Sequence, residues 1–384
     1  MAARTQAVQH IERAVLAAVD TTGNGAAHDL EELRQLVDTA GAQVVGELTQ
    51  RRDAPNPVRY FGKGKIEELA ELVRQSRADL VIVDDDLSAV QQHNIVEVVD
   101  ARVIDRTELI LDIFAQRART REGKLQVELA QHKYLLPRIT SVYTRFEQQR
   151  GGIGLRGPGE TKMEADRSRI RRRIADLERQ IAEVARHRRI ARAKRERLGL
   201  PTAALVGYTS AGKSTLLNAL TGADVYTDPK LFATLDPTTR RVDLPSGRVA
   251  LVSDTVGFIR KLPHHLVAAF RATLEETVQS TVLLHVVDVS HPQMRAQMEA
   301  VLGVLNDLHV GERPILTVLN KIDLVKDTYT LREMVAKYPD TVYLSALTGN
   351  GLIQLLRKLE QVLAREERRA EARRWEERRA YGAV

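Results

Sequence analysis

The chain reads as an α/β protein built from successive parts, and three observations lead there. Strand-like and helix-like runs alternate over residues 1–116, a strongly basic helical stretch occupies 117–198, and a strand, glycine loop and helix open residues 199–364, with a charged tail over 365–384. Alternation of strands and helices builds parallel sheets with helices on their faces. The expectation is therefore an N-terminal small parallel α/β domain, a basic antiparallel helical pair, and a domain with a mixed, mostly parallel sheet covered by helices on both faces.

In the N-terminal part, Val44–Thr49, Leu80–Val83 and Val103-Ile104 read as strands, with helices over Ile66–Ser76 and Val90–Val99. Phe61-Gly62-Lys63-Gly64-Lys65 opens the first of these helices, either as a plain glycine turn or as a phosphate contact. Further on, Leu125, Leu129, His132, Leu136 and Ile139 predict a helix that ends near Pro137. Its partner is a longer helix on which Ile170, Ile174, Leu177, Ile181 and Val184 form one apolar stripe. The segment from Arg117 to Arg197 carries 23 Lys/Arg against 10 Asp/Glu, so it exceeds the net charge of +7 of the whole chain and leaves the remainder net acidic. A one-signed excess centred on Arg171, Arg172 and Arg173 favours RNA phosphates over a merely solvated face.

Between the two helices, Arg150-Gly151-Gly152-Ile153-Gly154-Leu155-Arg156-Gly157-Pro158-Gly159-Glu160-Thr161-Lys162 holds five glycines in nine residues, too many for a helix. A loop over 150–162 lets the backbone approach a ligand closely, and Arg150, Arg156 and Lys162 make it positive. Arg150, Gly151, Gly152, Arg156 and Lys162 are its candidate RNA contacts, with a flexible hinge as the competing reading.

Ala203–Val206 then reads as a buried strand and Thr215–Leu220 as a helix. Between them Gly207-Tyr208-Thr209-Ser210-Ala211-Gly212-Lys213-Ser214 fits GxxxxGK[ST], the phosphate-binding P-loop. A glycine turn there aims successive N–H groups and the positive end of the helix at one anion. Lys213 would reach the β/γ-phosphates and Ser214 would ligate Mg²⁺. Phe232, Ala233, Thr234, Leu235 and Asp236 follow, in a stretch where a threonine is expected to ligate Mg²⁺ and sense a γ-phosphate. On chemistry alone Thr234, Thr238 and Thr239 compete for that role.

Arg248–Ser253 is a further strand, ending in Asp254-Thr255-Val256-Gly257. A carboxylate at a strand end suits a water-bridged Mg²⁺, and the Gly257 N–H suits a γ-phosphate. The next residue is Phe258, where many GTPases carry a water-orienting glutamine; an apolar ring cannot do that, so intrinsic hydrolysis is expected to be slow and no catalytic residue is assigned. Pro314–Leu319 leads into Asn320-Lys321-Ile322-Asp323, where the Asp323 carboxylate can accept both the N1–H and the 2-amino group of guanine. Adenine offers neither, so binding it would leave Asp323 buried and unpaired. After the strand-like Thr341–Leu344, Ser345-Ala346-Leu347 supplies a backbone N–H for guanine O6. The nucleotide is thus GTP, and this part is a P-loop GTPase domain. The tail, Arg365–Arg379, reads as a solvated mixed-charge helix.

Composition narrows the class. The 384 residues suffice for two or three cores, and 43% hydrophobic with 4% aromatic content indicates a globular protein. With no cysteine, disulfides and thiolate metal sites are excluded, which is compatible with the cytoplasm. No run reaches the length of a membrane span, the N-terminus lacks a signal-peptide pattern, and the ten histidines, His264-His265 included, lack metal-ligand spacing.

These residues together resemble the HflX family of translational GTPases, from the Tyr60–Lys65 stretch to Ser345-Ala346-Leu347. The most distinctive pieces lie outside the nucleotide motifs: Arg150–Thr161, and Arg102-Val103-Ile104-Asp105-Arg106-Thr107 upstream. The resemblance implies that Phe232–Asp236 is switch I and Thr234 the Mg²⁺ ligand. It implies binding to the large ribosomal subunit as a monomer, contact with ribosomal RNA through the N-terminal and helical parts, separation of stalled or idle ribosomes, and hydrolysis stimulated by the ribosome. The family's P-loop usually has asparagine where this chain has Ser210. In related GTPases that asparagine helps bind an activating K⁺, so the departure argues against K⁺ activation.

Overall fold

The computed structural model describes residues 11–21, 26–148, 158–197, 199–222, 230–261, 275–308, 310, 313–325, 338 and 340–381. The chain divides into two compact units, one of Met1–Gln116, Lys124–Ile181 and Pro263–Leu266, the other of Arg117–Gly123, Ala182–Leu262 and Val267–Val384.

In the first unit, β1 (Arg13–Asp20), α1 (Ala26–Ala40), β2 (Gln43–Arg51), α2 (Lys63–Ser76), β3 (Leu80–Val83), α3 (Ala89–Val99), β4 (Arg102–Asp105) and α4 (Arg106–Arg117) follow one another. Their strands form a wholly parallel sheet in the order β2-β1-β3-β4. β1, an Ala- and Val-rich run with weak strand preference, is central because burial on both faces decides for it. Its core includes Val15, Phe61, Ile66, Leu69, Val81 and Ile95. Gly62 caps α2, and its N–H donates to Gln50 Oε1 at 2.9 Å.

Two long helices follow, α5 (Arg121–Gln148) and α6 (Pro158–Arg197). Ion pairs Glu128–Arg173 and Lys133–Glu178 in the first unit, with Glu122–Arg188 in the second, give an antiparallel register. Two expectations are corrected here. Helix α5 does not end near Pro137 but runs through it. The adjacent Arg138 explains why: its Nη2 donates to Asp105 Oδ2 at 2.7 Å and to the Leu87 carbonyl at 2.8 Å, and its guanidinium lies 3.3 Å over the Tyr134 ring. Such anchoring outweighs the hydrogen bond that a proline removes. Helix α6 begins at Pro158, so the last five residues of the expected loop, Pro158–Lys162, are helical, in keeping with proline's fitness for a first helical position. On the apolar stripe only Leu177 is fully buried, while Ile170, Ile174, Ile181 and Val184 are half-buried.

The second unit holds β5 (Thr202–Gly207), α7 (Lys213–Thr221), β6 (Thr238–Asp243), β7 (Val249–Asp254), α8 (Glu275–Gln279), β8 (Val282–Asp288), α9 (Met294–Asp307), β9 (Ile315–Asn320), β10 (Thr341–Tyr343) and α10 (Leu352–Tyr381). The sheet order is β10-β9-β8-β5-β7-β6, parallel except for the edge strand β6. The expected tail is the continuation of α10, whose first half buries Leu355, Leu359, Val362 and Leu363. No helix among the described residues is long and apolar enough to cross a membrane.

Candidate functional site

The chain leaves β5, β7, β9 and β10 at one edge of this sheet, their carboxyl ends, where open α/β sheets place ligands. The nucleotide motifs stand at those four ends. At the last residue of β5, Gly207 has φ 156°, and a Cβ there would overlap the Val286 carbonyl of the neighbouring strand β8, so only glycine fits. The loop turns through Ser210 (φ 60°) and Gly212 (φ 93°) into α7. A left-handed Ser210 keeps the geometry that asparagine tolerates better, without its amide.

A cleft of about 360 Å³ opens on this loop, lined by Thr209, Ser210, Gly212, Lys213, Ser214, Thr215, Lys230, Phe232, Ala233, Thr234, Thr255, Gly257 and Lys321. Lys213 is buried, and its ammonium donates to the Gly207 and Tyr208 carbonyls at 3.1 and 2.9 Å. Burial pulls its pKa down to about 8, with Asp254 opposing that shift. Asp254 shows the complementary effect: burial raises its pKa, while Lys213 and the hydroxyls of Ser214 and Thr234 hold it down.

Three oxygens converge at the end of β7. Asp254 Oδ2 accepts from Ser214 Oγ at 2.6 Å and Thr234 Oγ1 at 3.0 Å, and the two hydroxyls lie 2.9 Å apart. Asp254 Oδ1 is buried without a hydrogen-bond partner. A hard divalent cation suits such a set, since Mg²⁺ takes oxygen ligands and needs few from the protein when phosphates supply the rest. The geometry also separates the three candidate threonines. Thr238 and Thr239 belong to β6, where Thr238 pairs in register with Asp254 and Thr239 Oγ1 lies 2.8 Å from Ser253 Oγ, and it is the Thr234 hydroxyl that bonds Ser214 and Asp254.

The DxxG loop is tied to the P-loop by backbone. Thr209 N–H donates to the Phe258 carbonyl at 2.8 Å and Phe258 N–H to the Gly207 carbonyl at 3.1 Å. A Cβ at Gly257 would stand 2.8 Å from Thr209 Cα and 3.1 Å from Lys213 Nζ, too close for any side chain. Phe258 is 2% exposed, so its ring packs inward and offers nothing to a water. Thr255 and Val256 are buried, and Thr255 Oγ1 donates to the Leu205 carbonyl at 2.6 Å.

At the end of β9, Asn320 joins three loops. Its Nδ2 donates to the Ala211 carbonyl at 2.8 Å and its Oδ1 accepts the Ala346 N–H at 2.9 Å, which commits that amide to Asn320. Lys321 (φ 65°) pairs with Asp288 at 2.6 Å. Ile322 is half-buried, Asp323 is exposed, Ser345 is buried and Leu347 is 81% exposed. The expectation of a buried Asp323 is corrected here: it lies three residues past the end of β9 and its carboxylate stands open to solvent.

One candidate points elsewhere, a fact the motif did not reveal. The Asp236 carboxylate accepts the backbone N–H groups of Arg119 and Thr120 rather than facing the cleft. Of the candidate RNA contacts, Arg171 and Arg172 stand exposed on α6, whereas Arg173 is engaged by Glu128 at 2.6 Å and is less available for phosphate. Arg150, Gly151, Gly152 and Arg156 lie outside the described residues, as do His264 and His265, and of Lys162 only the helical backbone is described.

Residues 27–115 match the family described as GTP-binding GTPase N-terminal, 117–195 the GTP-binding GTPase Middle Region, and 202–321 the 50S ribosome-binding GTPase family. Over 356 residues the chain is 50% identical to the GTPase HflX of Caldanaerobacter subterraneus, covering 92% of this chain and 81% of that protein. Over 356 residues it is 47% identical to the GTPase HflX of Escherichia coli, covering 92% and 84%. A crystal structure of SsGBP with GDP aligns with a TM-score of 0.51 at 25% identity, covering 92% of this chain and 99% of that one. The chain therefore belongs to the HflX family of GTPases and is itself a GTP-binding, GTP-hydrolysing enzyme.

Proposed function

We propose that this GTPase binds the large ribosomal subunit in its GTP state, separates stalled or idle ribosomes in the cytoplasm, and hydrolyses GTP chiefly when the ribosome stimulates it. The observation that carries this reading is the buried Phe258 at the position of a water-orienting group. A site that holds its nucleotide but lacks that group waits for a partner to complete it. The 50S ribosome-binding description of the matched family and the exposed Arg171 and Arg172 support ribosomal RNA as that partner.

In this mechanism the P-loop amides from Tyr208 to Ser214 cradle the phosphates, and Lys213 neutralises the β and γ groups. Ser214 and Thr234 would hold Mg²⁺, with Asp254 behind them. Held there, the ion would supply positive charge to offset the negative charge that develops on the phosphates during hydrolysis. Asp323 selects guanine, with Asn320 and Ser345–Leu347 shaping the base pocket.

The test is GTP turnover with and without purified large subunits, paired with gradient sedimentation of intact ribosomes plus a non-hydrolysable GTP analogue. Stimulated turnover and dissociation into subunits are expected. Absence of stimulation would refute the reading. Binding that leaves the subunits joined would replace it with a GTP-gated factor for ribosome assembly or hibernation.

A further inference from the structure

Switch I is held at two points only two residues apart. Thr234 rests on Ser214 and Asp254, and Asp236 grips the start of α5. Asp236 Oδ2 accepts the Arg119 and Thr120 N–H groups, each at 2.9 Å, and Oδ1 accepts the Thr120 hydroxyl. Thr120 Oγ1 in turn accepts the Gly123 N–H at 3.0 Å, which makes Thr120 the N-cap of α5. Asp236 thus extends that cap by satisfying amides just ahead of the helix, and its charge sits at the positive end of the helix dipole. The fit is tight, because a Cβ on Gly123 would overlap Asp236 Oδ1. The same turn carries Glu122, paired with Arg188 of α6.

We propose that Asp236 is a nucleotide-sensitive latch on the first turn of α5. Residues 234 and 236 are separated by at most about 7 Å of extended chain, so Asp236 cannot keep its partners once Thr234 swings well away from the phosphate side. When Thr234 is ordered on Ser214 and Asp254, Asp236 is delivered to the Arg119 and Thr120 amides; when Thr234 is released, the cap is withdrawn. The start of a helix that leads into the basic segment then reports the nucleotide state. This rests on Thr234 as the γ-phosphate sensor and does not require the ribosome.

The experiment is hydrogen exchange of the full chain, without ribosomes, bound to GDP or to a non-hydrolysable GTP analogue with Mg²⁺. In the wild type, amides 119, 120 and 123 are expected to exchange at least about tenfold more slowly with the GTP analogue. Gly123→Ala favours the helix while displacing Asp236, so it should stay folded by circular dichroism and lose this difference. By linkage, it should also bind the GTP analogue about fivefold more weakly while GDP affinity is unchanged. Thr120→Ala removes only the hydroxyl contacts to Asp236 Oδ1 and the Gly123 N–H, so it should lose the difference at amide 123 and keep it at amides 119 and 120. Equal exchange with both nucleotides in the wild type would overturn the latch, as would a nucleotide-dependent difference at amides 119 and 120 that survives in Gly123→Ala. Failure of ribosome binding would leave these results unaffected, so the two ideas are separable.

Discussion

At the scale of single residues, the site is a set of hydrogen-bonding tasks that few side chains can perform. Lys213→Ala removes a buried ammonium, proposed to neutralise the phosphates, and is expected to weaken GTP binding on the order of 100-fold, measured with a fluorescent analogue. Asp323→Asn exchanges one acceptor oxygen for a donor at the proposed base-reading position. It should lower GTP affinity by two orders of magnitude or more and favour xanthosine triphosphate in competition assays; retained guanine preference would mean that Asp323 does not read the base. Most of the candidate residues were legible in the chain because their motifs are local: the P-loop pattern holds its glycines and lysine in one unbroken octet. Thr234 was not separable from chemistry alone, since Thr234, Thr238 and Thr239 carry the same hydroxyl and only the hydrogen bonds to Ser214 and Asp254 tell them apart. Asp236 was legible as part of a motif but not in its task, because its partners Arg119 and Thr120 lie more than a hundred residues earlier in the chain.

At the scale of elements, β2, β3, β4, β5, β7, β9 and β10 were legible as strand-like runs, whereas β1, β6 and β8 and the helices α1, α4, α8 and α9 were not read in the sequence. Pro137 would end an isolated helix, yet α5 passes it because Arg138 is anchored on Asp105 and Leu87. The strand β8 carries a different consequence. His285 is 1% exposed, and burial first, then the Lys213 charge, pulls its pKa down to about 4 from 6.5. The unfolded chain takes up this proton near pH 6.5 and the folded chain only near pH 4. Its contribution is therefore complete above pH 6.5 and is lost as pH falls toward 4, on the order of 3 kcal/mol in all. Urea unfolding of the nucleotide-free protein at pH 7.5 and 5 should show this loss, and His285→Leu should flatten that dependence. An equal pH slope in both proteins would exclude His285 as its source.

At the scale of the whole molecule, charge is divided by segment. The excess of basic residues between Arg117 and Arg197 was plain from counting, but counting could not say which arginines are engaged. The structure spends Arg138 on Asp105, Arg173 on Glu128 and Arg188 on Glu122, and leaves Arg171 and Arg172 exposed. Replacing both exposed arginines with alanine should weaken binding to large subunits and reduce the slope of log affinity against log salt by about 1.5, as expected for two lost phosphate contacts. An unchanged salt slope would place the RNA contact elsewhere.

The double role of Asn320 bears on how this enzyme can evolve. One side chain, 2% exposed, fastens the loops after β5, β9 and β10 to one another, whereas Asp323 three residues on is open to solvent. With Asp323 as the proposed reader of the base, drift in base preference is cheap at one position of the NKxD motif and expensive at the other. A lineage could sample new nucleotides through Asp323 and still fold, but a change at Asn320 would loosen the mouth of the site before any new base could be tried.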